Sequence, residues 1–228
     1  MTSLLGAGYN GSSWIDWSWV NDHTTEISTR LREHIVLALL ALLYGLVIAL
    51  PLAILASRKR RLLPPILSVT GVLYTIPSLA AFAFLLPFTG LSRETALIPL
   101  TAYSLLILVR NVVTGLDGVP AEVVEAARGM GYSAPRQLVQ IELPLAVPAI
   151  IAGIRIAAVT LIGLVPVAAL IGQGGLGAMM LDGFQRDFRT PITVAGVLVI
   201  ALAVVTDAAL VLVQRLATPW ARRSRVAA

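Results

Sequence analysis

Five long apolar runs govern what this chain can fold into: roughly Ile35 to Ala56, Leu63 to Phe88, Ala96 to Val113, Leu143 to Ile171 and Ile192 to Leu216. A helix needs about 20 predominantly apolar residues to cross the hydrocarbon core of a bilayer. None of the runs alternates apolar with polar residues as a barrel strand would. Only 13% of the residues are charged, about half the share of an ordinary soluble domain, so a hydrated shell cannot be built from what remains. The expected fold is an all-α membrane protein with about five transmembrane helices.

Cytoplasmic loops carry the Lys and Arg excess, and that excess orients the spans. With the N-terminus outside, the inner segments hold eleven basic residues: Arg58, Lys59, Arg60, Arg61, Arg110, Arg128, Arg136, Arg215, Arg222, Arg223 and Arg225. The outer segments hold five, namely Arg30, Arg32, Arg93, Arg186 and Arg189. The expectation is N-terminus outside and C-terminus cytoplasmic. It divides the chain into an extracytoplasmic interfacial segment (1–32), a transmembrane domain (33–216) with a cytoplasmic elbow at 117–142, and a basic tail (217–228). The net charge of +5 belongs to these membrane margins and calls for lipid, not nucleic acid. In "WIDWSWV", Trp14, Trp17 and Trp19 beside Asp16 suit the headgroup layer, where amphipathic rings collect. With no cysteine in the sequence, disulfides and thiol chemistry are excluded. His23 and His34 flank the first run with no second ligand at metal spacing, and both read as surface groups.

Gly172, Gly174 and Gly177 in "IGQGGLGAMM" carry the spacing G-x-G-x-x-G. That spacing cradles a pyrophosphate only after a strand and before a helix in a βαβ unit. It follows an apolar membrane run instead, so no dinucleotide is expected. Gly172, Gly174, Gly175 and Gly177 allow a sharp turn and close helix contact on the outer face. They fit an outer gate, a receptor-docking surface or a plain helix-ending turn. Arg155 and Asp207 fall inside the fourth and fifth runs at similar depth, roughly 14 to 17 Å from the inner end. Charges there are paired or functional. An Arg155–Asp207 ion pair is expected, the alternatives being a pathway-lining Arg155 or an Asp207 that meets backbone or a partner chain. Pro51, Pro77, Pro99, Pro148 and Pro166 lie in or near spans and can bend them.

Between the third and fourth runs lies "VPAEVVEAARGMGYSAPRQLVQIELP". Pro120 fits the first turn of a short helix, and Glu122 suits its positive end. Gly131 can end that helix in a left-handed conformation. Ser133 and Pro135 can open a second one. The expected element is a helix-turn-helix elbow lying under the membrane.

Glu125-Ala126-Ala127, three residues, Gly131, nine residues, Ile141, one residue and Leu143-Pro144 together resemble the EAA signature of the membrane subunits of binding-protein-dependent ABC importers. The stretches "RNVVTGL", "EAARGMGYS", "ELPLAVPAIIAGIRIA" and "IGQGGLG" are similar to osmoprotectant permeases for glycine betaine, carnitine and choline, and "GFQRDFRT" resembles methionine importers. The resemblance implies a type I ABC importer (MetI-like) permease core. It also implies that Glu125, Ala126, Ala127, Gly131, Ile141, Leu143 and Pro144 couple to a separate ATPase. The partners it implies are two ATP-binding subunits, a second identical or homologous permease subunit and an extracytoplasmic substrate-binding protein. The solute is then a quaternary-ammonium osmoprotectant, with methionine or another small polar solute as the alternative.

The residues agree independently that the motor is elsewhere. A phosphate-binding loop needs a Lys after a glycine-rich turn, and the one lysine, Lys59, sits in "SRKRR". ATP and magnesium are therefore expected on a partner subunit, with no cofactor and no catalytic residue in this chain. A secondary transporter driven by an ion gradient would need intramembrane ion ligands, for which only Arg155 and Asp207 are candidates.

Overall fold

A computed structural model of the protein describes residues 15–218, and the regular structure among them is entirely helical. A short helix, α1 (Trp17–Asp22), is capped by Asp16, whose carboxylate accepts the backbone N–H groups of Ser18 and Trp19. It leads into α2 (Thr24–Arg58), then α3 (Leu63–Thr75), α4 (Ser78–Thr89) and α5 (Arg93–Asp117). The elbow begins with α6 (Ala121–Gly129), followed by α7 (Ala134–Gln137) and α8 (Leu143–Leu164). A 3-10 segment (Val165–Ile171), α9 (Leu176–Gln185) and α10 (Arg189–Ala217) complete the chain.

Three elements differ from expectation. Of the expected interfacial segment, residues 24–32 form the first part of α2, and the boundary at residue 32 falls inside this 35-residue helix. No Gly or Pro interrupts residues 24–34, so a helix nucleated in the apolar run propagates outward at little cost. The helix is about 52 Å long, well beyond the roughly 30 Å of hydrocarbon. Trp14 and the arginines of the tail lie outside the described residues.

The second apolar run is broken: α3 and α4 meet at 92°. Pro77 forces the preceding residue out of the helical region, and Ile76 is extended at φ −64, ψ 127. The freed Ile76 carbonyl accepts the Tyr103 hydroxyl at 2.9 Å, the kind of compensation a broken membrane helix requires. Each half, about 20 Å or less, is too short to span alone. Together they still cross, because α3 starts beside Arg60, which is paired with Asp117, while Thr89 at the end of α4 hydrogen-bonds Thr95 near the start of α5.

In the elbow, α6 is a separate short helix. However, α7 continues through a π turn (Leu138–Glu142) into α8, so the second short helix is the entry to the fourth span. Ser133 makes no side-chain cap bond there.

The core lies among α2, α5 and α8. On α2 the buried positions Ala41, Gly45, Ala49 and Ala53 recur every fourth residue, the small-residue spacing that lets membrane helices approach closely. A Cβ at Gly45 would overlap the Ser104 side chain of α5. One cluster, with Leu37, Phe82, Leu100 and Leu161, fills one end; another, with Ala53, Leu108, Val112 and Ala146, fills the other. Helix α10 packs on the outside, with Thr190, Pro191 and Ala195 its buried residues.

Candidate functional site: coupling elbow, glycine loop and intramembrane ion pair

The candidate site residues gather at two ends and in the middle of one face. At the elbow end, α6 stops in a two-bond cap: Tyr132 N–H donates to the Ala127 carbonyl at 3.1 Å and Gly131 N–H to that of Arg128 at 2.9 Å. Gly131 takes φ +81, the left-handed conformation this cap needs. Of the residues expected to couple to an ATPase, Ala127 is 1% exposed and anchors the helix. Glu125, Ala126 and Gly131 are exposed, as are Val123 and Met130. The result is a projecting helix with a small, mixed charged and apolar surface. Ile141, Leu143 and Pro144 are half-buried where the π turn passes into α8.

Two ion pairs hold the flanks of this elbow. Glu142, buried, accepts Arg58 Nη2 at 2.8 Å and also the Gln137 amide. Arg60 forms a two-pronged pair with Asp117 at 2.7 and 2.6 Å, which raises the Arg60 pKa further above its ordinary value. Sequence reasoning placed Arg58 and Arg60 in a basic loop and missed both contacts. The acidic residues at each edge of the elbow were the available clue.

At the opposite end, Gly172 closes the 3-10 segment at φ 75, ψ 6. Gly175 has φ 51, ψ −115, and Gly177 N–H donates to the Gly174 carbonyl at 2.8 Å. This is a type II′ turn with Gly175 at its first central position, where a glycine is needed. The glycines also make room for backbone. A Cβ on Gly175 would sit 2.5 Å from His34 N and 2.7 Å from Arg30 O on α2. At Gly174 it would overlap Ala169, and at Gly177 Pro166. The loop is thus pressed onto α2 and the end of the fourth span. His34, expected at the surface, is fully buried and donates from Nε2 to the Ile162 carbonyl at 3.0 Å. The reason is the length of α2, which carries it into the bundle. Arg30, Glu33, Arg93 and Gln173 border a polar hollow over the loop.

Arg155 of α8 and Asp207 of α10 meet in a two-pronged ion pair, Nε to Oδ1 at 2.9 Å and Nη2 to Oδ2 at 3.0 Å. Gln214 extends the link, donating to the Pro148 carbonyl at 3.1 Å. These contacts set the C-terminal end of α10 beside the start of α8, so Thr218 and the elbow share one end of the molecule. The glycine loop and α1 share the other, where Asp16 N–H donates to Thr190 Oγ1.

Comparison with known proteins agrees with this arrangement. The chain is 36% identical over 194 residues to the choline transport system permease protein OpuBB of Bacillus subtilis, covering 85% of this chain and 89% of the relative. It is 38% identical over 205 residues to the osmoprotectant import permease protein OsmW of Salmonella typhimurium, covering 87% and 94%. Among solved structures, an inward-facing MetNI methionine ABC transporter chain superposes with a TM-score of 0.76 at 22% identity, over 86% of this chain and 98% of that one. Residues 37–218 match the family described as "binding-protein-dependent transport system inner membrane component", and the chain is a multi-pass inner-membrane permease belonging to that family.

Proposed function

We propose that this chain forms the translocation pathway of an ATP-driven importer for a quaternary-ammonium osmoprotectant such as glycine betaine, choline or carnitine. The observation that carries the reading is the exposed α6 helix with its Glu125-Ala126-Ala127, followed by the Gly131 turn from which α7 runs unbroken into the fourth span. Two permease subunits enclose the pathway. Two ATP-binding subunits grip the α6 helices from the cytoplasm, and closing on ATP rocks the spans between inward-open and outward-open shapes. The elbow end and the tail face the cytoplasm, where the basic residues concentrate, and the glycine loop faces outward. There Gly172, Gly174, Gly175 and Gly177 shape the gate and the surface on which a substrate-binding protein docks. The chain is non-catalytic: ATP and magnesium sit on the partner. The choline and osmoprotectant permeases to which the chain is similar support the osmoprotectant solute.

The test has two parts. The ATP-binding subunit should co-purify with the wild-type chain and be lost on Ala126→Leu, which thickens the exposed coupling surface. Retention of the partner by that variant would refute the docking role. The cognate binding protein should take up glycine betaine, choline or carnitine; binding of methionine instead would move the chain to another solute class.

A further inference from the structure

We propose that the cleft between α8 and α10 is a water-filled wall of the solute pathway, and that the Arg155–Asp207 pair within it is a relay site for a zwitterion. The cleft holds about 610 Å³ and is lined by Ala152, Arg155, Val159, Asp207 and Ala208 among others. That volume lies inside the roughly 300–1,000 Å³ of small-molecule sites. The side chains of Arg155 and Asp207 remain 28% and 40% exposed, near the middle of the spans. Exposed charges at that depth are not turned toward hydrocarbon; they face a bundle interior or a water-filled cavity. The cleft is therefore wet.

The pair has binding capacity to spare. Arg155 Nη1 reaches Gln214 only at 3.4 Å, longer than an ordinary N–H···O bond. A carboxylate offers about four acceptor positions, more than Arg155 occupies. A solute carboxylate can lie against the free guanidinium edge while its cationic end lies against Asp207. The site begins neutral and stays neutral, which favours a molecule carrying both charges. Ala152, Ile156, Val159, Val204 and Ala208 supply apolar walls that suit methylated nitrogen, which has no N–H to donate.

This inference rests on the importer reading but is tested apart from the identity of the solute. The chain has no cysteine, so single introduced thiols report without background. In the assembled transporter, Val159→Cys and Ala208→Cys should react with a membrane-impermeant methanethiosulfonate about tenfold or more faster than Ala209→Cys, because only a hydrated thiol forms the reactive thiolate. Ala209 is exposed on α10 outside the cleft lining. Glycine betaine delivered by its binding protein should slow both reactions. Cleft thiols no faster than Ala209→Cys overturn the wet cleft, and fast labelling that no transported solute slows overturns the relay. Protection by a different delivered zwitterion, with no betaine uptake, supports the relay and overturns only the osmoprotectant reading. As a second readout, the neutral pair Arg155→Gln with Asp207→Asn keeps hydrogen bonds between the helices while removing both charges. Solute moved per ATP hydrolysed should fall about tenfold, the worth of one charged hydrogen bond. A ratio equal to that of the wild type overturns the relay.

Discussion

Replacing Gly175 with alanine separates two demands that the glycine loop places on one residue. The first is conformational: φ 51, ψ −115 lies where an L side chain costs about 1–3 kcal/mol. The second is spatial. The added Cβ would lie 2.5 Å from His34 N, against 3.4 Å for ordinary contact, so α2 and the loop must part by about 0.9 Å, an overpacking cost of about 1–3 kcal/mol. The three atoms met, His34 N and Cα and Arg30 O, are all backbone of a long helix, so no side-chain rotation relieves the overlap. Together these give about 2–6 kcal/mol. Gly172→Ala is the internal control, since Gly172 has φ +75 and nothing within 4 Å of its Cβ position; it should lose only about 1 kcal/mol. At about 2–4 °C per kcal/mol for a chain of this size, Gly175→Ala should lower the apparent Tm by roughly 10 °C and Gly172→Ala by a few degrees. The assay is the monodisperse fraction of purified complex surviving a temperature series. Equal shifts for the two variants would refute the packing of the loop against α2.

At the elbow, Arg58→Met leaves Glu142 buried without its cation and should destabilise the protein by about 2–3 kcal/mol, discounted from a fully buried pair because Arg58 is partly exposed. Adding Glu142→Gln should recover part of the loss, and the same survival assay reads both. Helix α1 should depend on pH in the acid range. The Ser18 hydroxyl, followed by the Trp19 amide, holds the Asp16 carboxyl below its usual value. Its stabilising contribution is therefore complete above the ordinary carboxylate pKa near 3.9 and is lost as pH falls from there through the lowered value. Trp19 emission, with the other tryptophans replaced by phenylalanine, should show that step, and Asp16→Asn should remove it.

Span positions were legible because apolar length is a one-dimensional property, and the cap at Gly131 because its chemistry is local. The break at Pro77 was hidden by the same apolarity that revealed the run: a bend of 92° leaves hydropathy unchanged, and only the proline marks it. His34 was misread for the complementary reason. Whether a polar residue near a span end meets water depends on how far the helix continues, and α2 runs through both segments. The Arg58–Glu142 and Arg60–Asp117 pairs join residues far apart in sequence. Charge counting sees such residues as a topogenic cluster and cannot say which of them also hold the elbow.

These pairs bear on how force would travel through the molecule. On the importer reading, a pull on α6 acts on a helix held at both flanks, by Asp117 on one side and by Glu142 on the other, to the segment that ends α2. The segment from α7 to the end of the fourth span is helical throughout, from Ala134 to Ile171, and at its far end meets the glycine loop that lies on the backbone of α2. Helices α2 and α8 are thus tied together at both ends, which favours rigid rotation of that pair over hinge bending within it. Outside that pair lie the broken α3–α4 span and α10, which packs on α8 through Arg155, Asp207 and Gln214 and also on α9. Alternating exposure of the pathway would then come from whole-unit rocking, with α3, α4 and α10 adjusting around a fixed α2–α5–α8 core.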